Sequence, residues 1–323
     1  MMSVSRPLIC LIGLALGCLT YSCGCHPRSC LLEPAITYTP QRQQFERGDS
    51  PFDELSPIEL KQDWGKEMKI AIALARELDL YRAITGFKRA LILMPAELKN
   101  RRLQAQFYIV QSYYLGRKYQ SAVEAFEFSK LPSASGKFPP FRELLIILYE
   151  SYEKTGQCEK AQAILSLMEK GDPETALDLK LFSAVDAGDF NGIATLALAH
   201  PHREDFSDFV GRYRCCCKSV RQAQTLNAIL PGAGYYYVGQ KRSALTSFVL
   251  NTAFIAASYH FFEKGNWGAG LFTSSLELGW YFGGINGAGL AAKEYNQCIY
   301  QDLGKELMLT RRLFPVLMLE TSF

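Results

Sequence analysis

The sequence predicts an all-α protein in which a helical solenoid over residues 59–206 is followed by a transmembrane helical hairpin over residues 243–292. The solenoid is indicated by alanines that recur at equal intervals of 39 residues, at Ala83, Ala122 and Ala161. A fixed period of this length is typical of stacked helix pairs. The hairpin is indicated by two long apolar runs joined by a short polar break, because each run is long enough to cross a bilayer core as a helix.

The N-terminal residues 1–25 are predicted to be a signal peptide or a lipoprotein signal. A weakly basic start precedes an apolar stretch from Pro7 to Tyr21, which is the pattern of a secretion signal. Ala15-Leu-Gly-Cys18 approximates the motif at which bacterial lipoproteins are acylated, and Cys23 and Cys25 compete with it. Lipidation, simple cleavage and retention as an anchor all stay open, and each places the following domain outside the cytoplasm.

Residues 26–58 are predicted to form an extended tether. The segment is polar and carries Pro34, Pro40, Pro51 and Pro57. Linkers of this composition favour a semi-stiff, extended conformation. We therefore expect the folded part of the chain to begin after this segment.

The helical region contains a specific repeat pattern. Ala83-x3-Phe87-x2-Ala90-x4-Pro95 matches the second helix of a tetratricopeptide repeat and its closing proline. Two further units follow at the same period, and a weaker fourth unit that stops near Pro201 is expected to cap the stack. About 140 residues thus resemble the tetratricopeptide repeat family. The resemblance implies stacked helix pairs with a concave groove that binds extended or helical peptides.

The same resemblance places the lining of the groove on the first helix of each pair. Chaperone-binding members carry Lys and Asn where Phe107 and Gln111 stand here, so a clamp for a C-terminal carboxylate is not expected. The alternative is that these side chains only pack the superhelix. The groove positions are Gln104, Phe107, Gln111, Tyr114, Ile146, Glu150 and Glu153.

The predicted hairpin consists of two apolar runs, Ser243–Phe262 and Gly268–Ala292. The first run has no formal charge, and the second has only Glu277. The break Glu263–Asn266 is so short that the two spans must lie antiparallel. Trp267 follows the break, and tryptophan is enriched at membrane interfaces.

Three glycines of the second run share one predicted helix face. Gly279, Gly283 and Gly287 are spaced at intervals of four, and small residues at this spacing let two helices approach closely in lipid. The partner helix is either the first span or another copy of the protein.

An acidic residue within the second run needs a partner. Glu277 in hydrocarbon costs about 2.5 to 3.5 kcal/mol on insertion scales, so it is expected to face protein in its neutral form. Asn251 and Thr252 lie at about the same depth and are the expected hydrogen-bond partners. The alternatives are a contact in an oligomer and a proton or ion relay.

A turn motif precedes the hairpin within a juxtamembrane segment, residues 207–242. Pro231-Gly232-Ala-Gly234 is followed by three tyrosines and Gly239. Together with two spans and a later Tyr-Asn pair, this pattern resembles the membrane-hairpin domains of uncharacterised bacterial envelope proteins. The resemblance implies an interfacial amphipathic helix before the spans and carries no known chemistry. The glycines are expected to serve the turn, because glycine tolerates positive φ.

The orientation of the hairpin leaves an alternative open. Export places the repeats outside, yet basic residues flank the hairpin on the same side, whereas positive charge prefers the cytoplasm. A third span over residues 222–240 would resolve this conflict, although Pro231-Gly232 lies in its middle. The remaining residues 293–323 are predicted to be a C-terminal helical tail, with an amphipathic helix over Tyr295–Leu313.

No catalytic residue, cofactor or metal site is predicted. The four histidines show no ligand spacing, and Gly287-x-Gly289-x-x-Ala292 closes a helix instead of following a strand, so it is not a dinucleotide site. A net charge of +3 with scattered basic residues gives no case for nucleic acid. We expect a membrane-anchored scaffold of the bacterial cell envelope, with periplasmic repeats that bind proteins or peptides. The alternative is an oligomeric membrane component of transport or envelope assembly that works through the hairpin and Glu277.

Overall fold

The described part of the chain consists of helices and their connections. The computed structural model describes residues 36–39, 49–134 and 138–323, and no β-strand occurs within these ranges. The all-α prediction is therefore confirmed. The predicted signal and its three candidate lipidation cysteines lie outside the described residues.

The helices follow one another with short turns. Asp79, Asp172 and Asp189 each accept a hydrogen bond from an amide in the first turn of the next helix, which satisfies donors that a helix start leaves unpaired. Short 3-10 turns occur at Glu59–Lys61 and Leu131–Ser133. The α-helices in the described residues are α1 (Asp63–Arg76), α2 (Leu80–Leu93), α3 (Lys99–Leu115), α4 (Tyr119–Glu127), α5 (Phe141–Lys154), α6 (Cys158–Gly171), α7 (Pro173–Ala187), α8 (Phe190–Ala197), α9 (Arg203–Cys216), α10 (Val220–Ile229), α11 (Ala233–Val238), α12 (Lys241–Glu263), α13 (Trp267–Thr310) and α14 (Pro315–Met318).

Helices α1 to α8 each pack against the next helix in the chain. Ala83, Ala122 and Ala161 are fully buried, as their regular spacing predicts. A Cβ added to Gly86 would lie 2.9 Å from the Cβ of Ala71, so α1 and α2 approach closely. Helices α3 and α5 also contact each other, which makes the first helices of successive pairs neighbours.

The longest helix joins the hairpin to α7 and α9. Helix α13 is continuous from Trp267 to Thr310, so the boundary predicted between residues 292 and 293 falls inside it. The junction sequence Ala-Ala-Lys-Glu-Tyr contains neither glycine nor proline, so nothing ends the helix there. Near its far end the hydroxyl of Tyr300 donates a 2.7 Å hydrogen bond to the main-chain oxygen of Val185 on α7. The boundary predicted at residue 206 likewise falls inside α9.

Residues 222–240 do not form one helix. Helix α10 ends at Ile229, the chain turns at Leu230–Gly232, and α11 begins at Ala233. Residues 222–240 thus do not provide the single unbroken helix that the third-span alternative requires to satisfy its own backbone in lipid, and the two-span form stays a prediction. The turn is instead packed on α13 by a small cluster consisting of Ala223, Val238, Ala288, Ala291 and Ala292.

After α13 the chain turns back over α5 and α7. Arg312 adopts a positive φ of 54°, and α14 then contacts α5 and α7. The prediction of a helical tail is therefore only partly right, because Pro315 disfavours a helical conformation for the residue before it. We call Leu313–Phe323 the C-terminal segment. The side chains of Leu313 and Phe323 are fully buried.

The described parts of the predicted tether also pack on the helices. Ile36 is 6% exposed and lies beside Gly304 of α13. The ring of Phe52 lies 6.1 Å from that of Phe107 and 5.7 Å from that of Phe138. The prediction of an extended, unpacked tether is wrong at these residues, because their apolar side chains gain by burial.

Candidate partner groove and helical hairpin

The predicted groove residues lie on α3 and α5, and most of them are covered. The C-terminal segment and residues 49–52 lie over the face that the first helices of the pairs, α1, α3, α5 and α7, present together. We call this face the partner groove. Of the predicted positions only Glu153 is exposed. Buried are Gln104, Phe107, Gln111, Tyr114, Ile146 and Glu150.

Phe323 occupies one end of the partner groove. Its ring centroid lies 5.4 Å from that of Tyr108 on α3. The Nε of Arg76 on α1 donates a 2.8 Å hydrogen bond to the main-chain oxygen of Phe323. The amide of Ser322 donates a 3.1 Å hydrogen bond to the main-chain oxygen of Asp49. This end of the segment is thus held by two helices and by the chain ahead of α1.

Arg142 on α5 holds the middle of the C-terminal segment. One terminal nitrogen donates a 3.0 Å hydrogen bond to the main-chain oxygen of Met318, and another donates a 2.9 Å bond to the hydroxyl of Thr175. Its Nε pairs with Asp172 at 2.9 Å. Burial favours the protonated acid, but hydrogen bonds from Thr175 and Arg142 outweigh it and lower the pKa of Asp172. Thr175 and Asp172 therefore hold the guanidinium in the position from which it contacts the segment.

Phe314 occupies the other end. Its ring stacks on Tyr38 with the centroids 5.2 Å apart, and it meets Phe182 edge-on at 6.4 Å. Beside it lies a cleft of about 260 Å³, whose walls include Tyr114 and Glu150. Two aromatic residues thus mark the two ends of the segment, and aromatic side chains contribute large buried area at interfaces.

Glu150 is the buried acid of this cleft. Its carboxyl group accepts hydrogen bonds from the hydroxyls of Tyr114 at 2.5 Å and Tyr119 at 3.3 Å. Burial raises the pKa of Glu150, although the tyrosine hydrogen bonds and the charge of Lys154 oppose that change. The carboxyl group of Glu150 therefore holds its proton more firmly than a carboxyl group in water does.

Gln111 is fully buried, and neither its Nε2 nor its Oε1 has a hydrogen-bond partner among the described residues. Its neighbour along the helix face, Gln104, accepts a 2.9 Å bond from Arg101. An unpaired buried amide costs about 1 to 3 kcal/mol. Gln111 thus places on α3 an amide nitrogen and an amide oxygen that no described residue bonds.

The polar residues of the hairpin do not pair as expected. Glu277 is 9% exposed, and neither carboxyl oxygen has a partner in the described part of the chain. Asn251 donates a 2.6 Å bond to the main-chain oxygen of Ser247, and the Thr252 hydroxyl bonds that of Phe248 at 2.8 Å. The predicted bonds to Glu277 are therefore not formed, because both residues find the carbonyl one turn back on their own helix.

The glycine stripe does not form the contact with α12. A Cβ on Gly279 or Gly283 would meet nothing within 4 Å, and Gly287 is covered by a tyrosine of α11. The close approach is at Gly270, where a Cβ would lie 2.6 Å from the ring of Phe262 on α12. The first span is therefore not the partner of Gly279 and Gly283, and their other predicted partner, a second copy, stays a prediction.

The turn motif uses its glycines in two ways. Gly232 and Gly239 adopt φ of 91° and 93°, as a turn role predicts. Gly234 is different, because it lies inside α11 and a Cβ there would overlap the main-chain oxygen of Ala223. Its role is close packing. Asn227, which the sequence analysis did not single out, accepts a 2.9 Å bond from the amide of Gly232 and so closes the turn that contains Pro231.

Three further contact residues were missed. Arg76 and Arg142 bind the C-terminal segment, and Asn296 joins α13 to the chain before α10 by accepting from the amide of Lys218 at 2.6 Å and donating to its oxygen at 2.8 Å. The Tyr-Asn pair after the spans was a usable signal for Asn296. No local pattern marks the two arginines.

One helix in the described residues is long and apolar enough to cross a membrane. It is α12, Lys241–Glu263, with a mean hydropathy of 1.2 over its best window. The first part of α13 falls short by the same measure, since Glu277 and several glycines lower its hydropathy. Within the described ranges no group of three or more His, Cys, Asp or Glu side chains is arranged to hold a metal ion.

Comparison with known proteins finds no matching protein-family model, no matching curated protein and no matching solved structure. The function is therefore inferred from the partner groove and the hairpin alone.

Proposed function

We propose that this protein is a membrane-attached scaffold that binds a short segment of a partner protein in the partner groove. One observation carries the proposal: α1 and α5 hold main-chain oxygens of an eleven-residue segment, which contains the single helical turn α14 and buries its apolar side chains. A face that accepts one such segment suits another of the same chemistry. The resemblance of the Ala83-to-Pro95 pattern to tetratricopeptide repeats supports the same role.

Membrane attachment is supported by the outer surface of the hairpin. Large apolar side chains on both α12 and α13 are exposed by half or more, among them Val249, Ile255, Leu271 and Trp280. Soluble monomers rarely expose apolar patches beyond a few hundred Å². Insertion into a bilayer would remove this apolar surface from water. In this proposal α12 and the first part of α13 are the two spans.

Photocross-linking in membranes of cells that make the protein naturally tests partner binding. A photoreactive phenylalanine replaces Glu153, which is the exposed position of the partner groove. The matched control carries it at Tyr81, which is 83% exposed on α2. We expect a discrete protein adduct at residue 153 and none at residue 81. No adduct at residue 153, or the same adduct at both positions, contradicts the proposal.

A topology map tests the envelope location. We propose that the repeats are periplasmic and that both ends of the hairpin lie on that side, so reporters inserted after Lys170 and after Arg312 should both report outside the cytoplasm. A cytoplasmic signal at Lys170 contradicts export of the repeats. Opposite signals at the two sites contradict the two-span hairpin.

A second candidate function rests on the hairpin. Gly279 and Gly283 face open space and Glu277 has no partner among the described residues, which favours an oligomeric membrane component of transport or envelope assembly. Replacing both glycines by leucine should then reduce an oligomer in bilayers to monomers. A protein that is monomeric before the change contradicts this candidate and leaves the scaffold intact.

A further inference from the structure

We infer that the ligand of the partner groove is an apolar peptide with an aromatic residue near each end, and that the C-terminal segment occupies its place until such a peptide displaces it. This inference rests on the proposed function and adds the chemical class of the partner and the way binding is regulated. It follows from four features of the segment and its surroundings.

The first feature is the division of the segment into anchors and exposed positions. Phe314 and Phe323 are 4% and 0% exposed and lie against aromatic residues of the helices and of the chain ahead of them. Leu317 and Met318 fill the space between them and are also buried. Glu320 faces solvent. A ligand with aromatic anchors nine positions apart and an apolar centre therefore matches the groove.

The second feature is recognition of the backbone. Arg76 and Arg142 donate to main-chain oxygens of the segment, at Phe323 and Met318. Such contacts do not depend on the side chain that the bonded residue carries, so a different peptide of the same shape can accept them. Hydrogen bonds from charged donors are stronger than those between neutral groups, so the two arginines set the position at which any ligand backbone lies along the groove.

The third feature is space that the segment leaves unfilled. Beside Phe323 lies a cleft of about 530 Å³, lined in part by Phe52, Lys69 and Gln104, and the cleft beside Phe314 adds about 260 Å³. Protein interiors are normally close-packed. The groove can therefore admit a ligand that is longer or bulkier than the segment.

The fourth feature is a buried amide on α3 whose hydrogen bonds are unmet among the described residues. Gln111, at a position that the repeat pattern assigns to ligand contact, is fully buried with both amide atoms unpaired. A peptide main chain offers both a donor and an acceptor to such an amide. A ligand that pairs with Gln111 gains a contact that the C-terminal segment does not make.

Attachment of the segment to α13 makes it a strong competitor. A segment joined to its own site acts at an effective concentration of order mM, so a free peptide binds only the fraction of molecules whose groove is open. Weakening an anchor of the segment should therefore raise the apparent affinity for a free peptide without any change in the helices of the groove.

The test uses a fluorescent peptide with the sequence of residues 313–323 and a C-terminal amide. Binding is measured by anisotropy with the full chain in nanodiscs, unaltered or as Phe323→Ala. We expect the Phe323→Ala chain to bind at least about tenfold more tightly than the unaltered chain, because one anchor carries a large share of an interface energy. A peptide with alanine at both aromatic positions should bind neither chain. The matched chain control is Ile92→Ala, at a position 82% exposed on α2, which should behave as the unaltered chain does.

Equal binding by the two chains, or no binding to a Phe323→Ala chain with native circular dichroism, overturns the inference. A dimer that dissociates when the peptide is added assigns the groove to a second copy and also overturns the inference.

If Phe323→Ala does not fold, hydrogen exchange of the unaltered chain replaces the binding measurement. An excess of isotope-labelled peptide should then accelerate exchange in residues 313–323, and unchanged exchange overturns the inference. Peptide binding without an adduct at residue 153 supports the inference on ligand chemistry and contradicts the proposed partner, so the two failures are distinguishable.

Discussion

The guanidinium of Arg76 and the main-chain oxygen of Phe323, 247 positions apart, are joined by a 2.8 Å hydrogen bond. Arg76 ends α1, the first α-helix of the described residues. The last residues of the sequence thus return to the beginning of the folded region. Because α13 also packs on α7 and α9, the hairpin, the last repeat helices and the partner groove are linked through one helix and the segment that follows it.

Removing the aromatic anchor should lower the stability of the fold. Phe323→Ala deletes a fully buried ring, and such changes cost about 3 to 5 kcal/mol. Phe323→Leu retains most of the apolar volume and should cost clearly less. The measurement is the free energy of unfolding of the solubilised chain in denaturant. Ile92→Ala is the exposed control and should change the free energy by less than about 0.5 kcal/mol. A Phe323→Ala effect no larger than this control contradicts burial of the ring.

The turn before the hairpin should not tolerate a side chain at Gly232. Its φ of 91° costs a non-glycine residue about 1 to 3 kcal/mol, and a Cβ there would also overlap the main-chain oxygen of Ala244. Gly232→Ala should therefore lower the thermal stability and the folded yield. Gly211→Ala is the matched control, since this helical position has nothing within 4 Å, and it should be neutral or stabilising by up to about 1 kcal/mol. A loss at Gly211 as large as that at Gly232 contradicts the turn.

The buried acid of the groove should make stability depend on pH. Burial raises the pKa of Glu150 in the folded state above its ordinary value of 4.5, so the folded protein holds this proton more firmly than the unfolded chain does. Its contribution is therefore most favourable at low pH and is lost as the pH rises from about 4.5 through the raised pKa. Glu150→Gln, which stays neutral, should gain in stability relative to the unaltered chain as the pH rises. Glu153→Gln, at an exposed position of the same helix, should show no such gain, and a pH-independent difference for Glu150→Gln contradicts the burial.

The link between α13 and the repeats should depend on Tyr300. Its hydroxyl donates to Val185, and its buried ring packs against Phe190, Phe209 and Tyr213. Tyr300→Phe removes only the hydrogen bond and should cost about 0.5 to 1.5 kcal/mol, whereas Tyr300→Ala also opens a cavity and should cost about 3 to 5 kcal/mol. The free energy of unfolding checks both values. Equal effects of the two changes contradict packing of the ring.

The sequence predicted the features that depend on local residue patterns. The repeat alanines, Ala83, Ala122 and Ala161, are buried as their period requires, and Gly232 and Gly239 take positive φ as a turn requires. Both kinds of prediction work because the physical requirement, a small side chain at the alanines and none at the glycines, is met by the residue itself.

The contacts of the partner groove depend on pairings between residues that are distant in the sequence, and no local pattern predicts such pairings. Phe323, Arg142 and Phe52 gain their roles only when residues 49–52 and the C-terminal segment meet on the partner groove. The prediction for Asn251 failed in a different way. The residue is buried, but it donates its hydrogen bond to its own helix and not to Glu277. The composition of residues 26–58 also gave no sign that Ile36 and Phe52, in the described parts of this segment, pack on the helices.

The two candidate functions differ at Glu277. A scaffold should keep its groove adduct, its peptide binding and its bilayer insertion when Glu277 becomes Gln, because the amide retains the shape of the neutral acid. A membrane component that moves protons or assembles through this carboxyl should lose activity or its oligomer. Comparison of oligomeric state and cross-linking in the Glu277→Gln chain decides between them, and Glu263→Gln, at the exposed end of α12, is the control.

Hydrogen–deuterium exchange of the full, unaltered chain in bilayer nanodiscs tests most directly whether the C-terminal segment occupies the partner groove. Ser322 donates its amide to Asp49 and Leu317 donates its amide to Phe314, so fragments that cover residues 313–323 should exchange as slowly as fragments of α5. The slow exchange should be lost in the Phe323→Ala chain while α5 stays protected. Fast exchange throughout residues 313–323 in the unaltered chain, at the rate of a free peptide, would contradict the account.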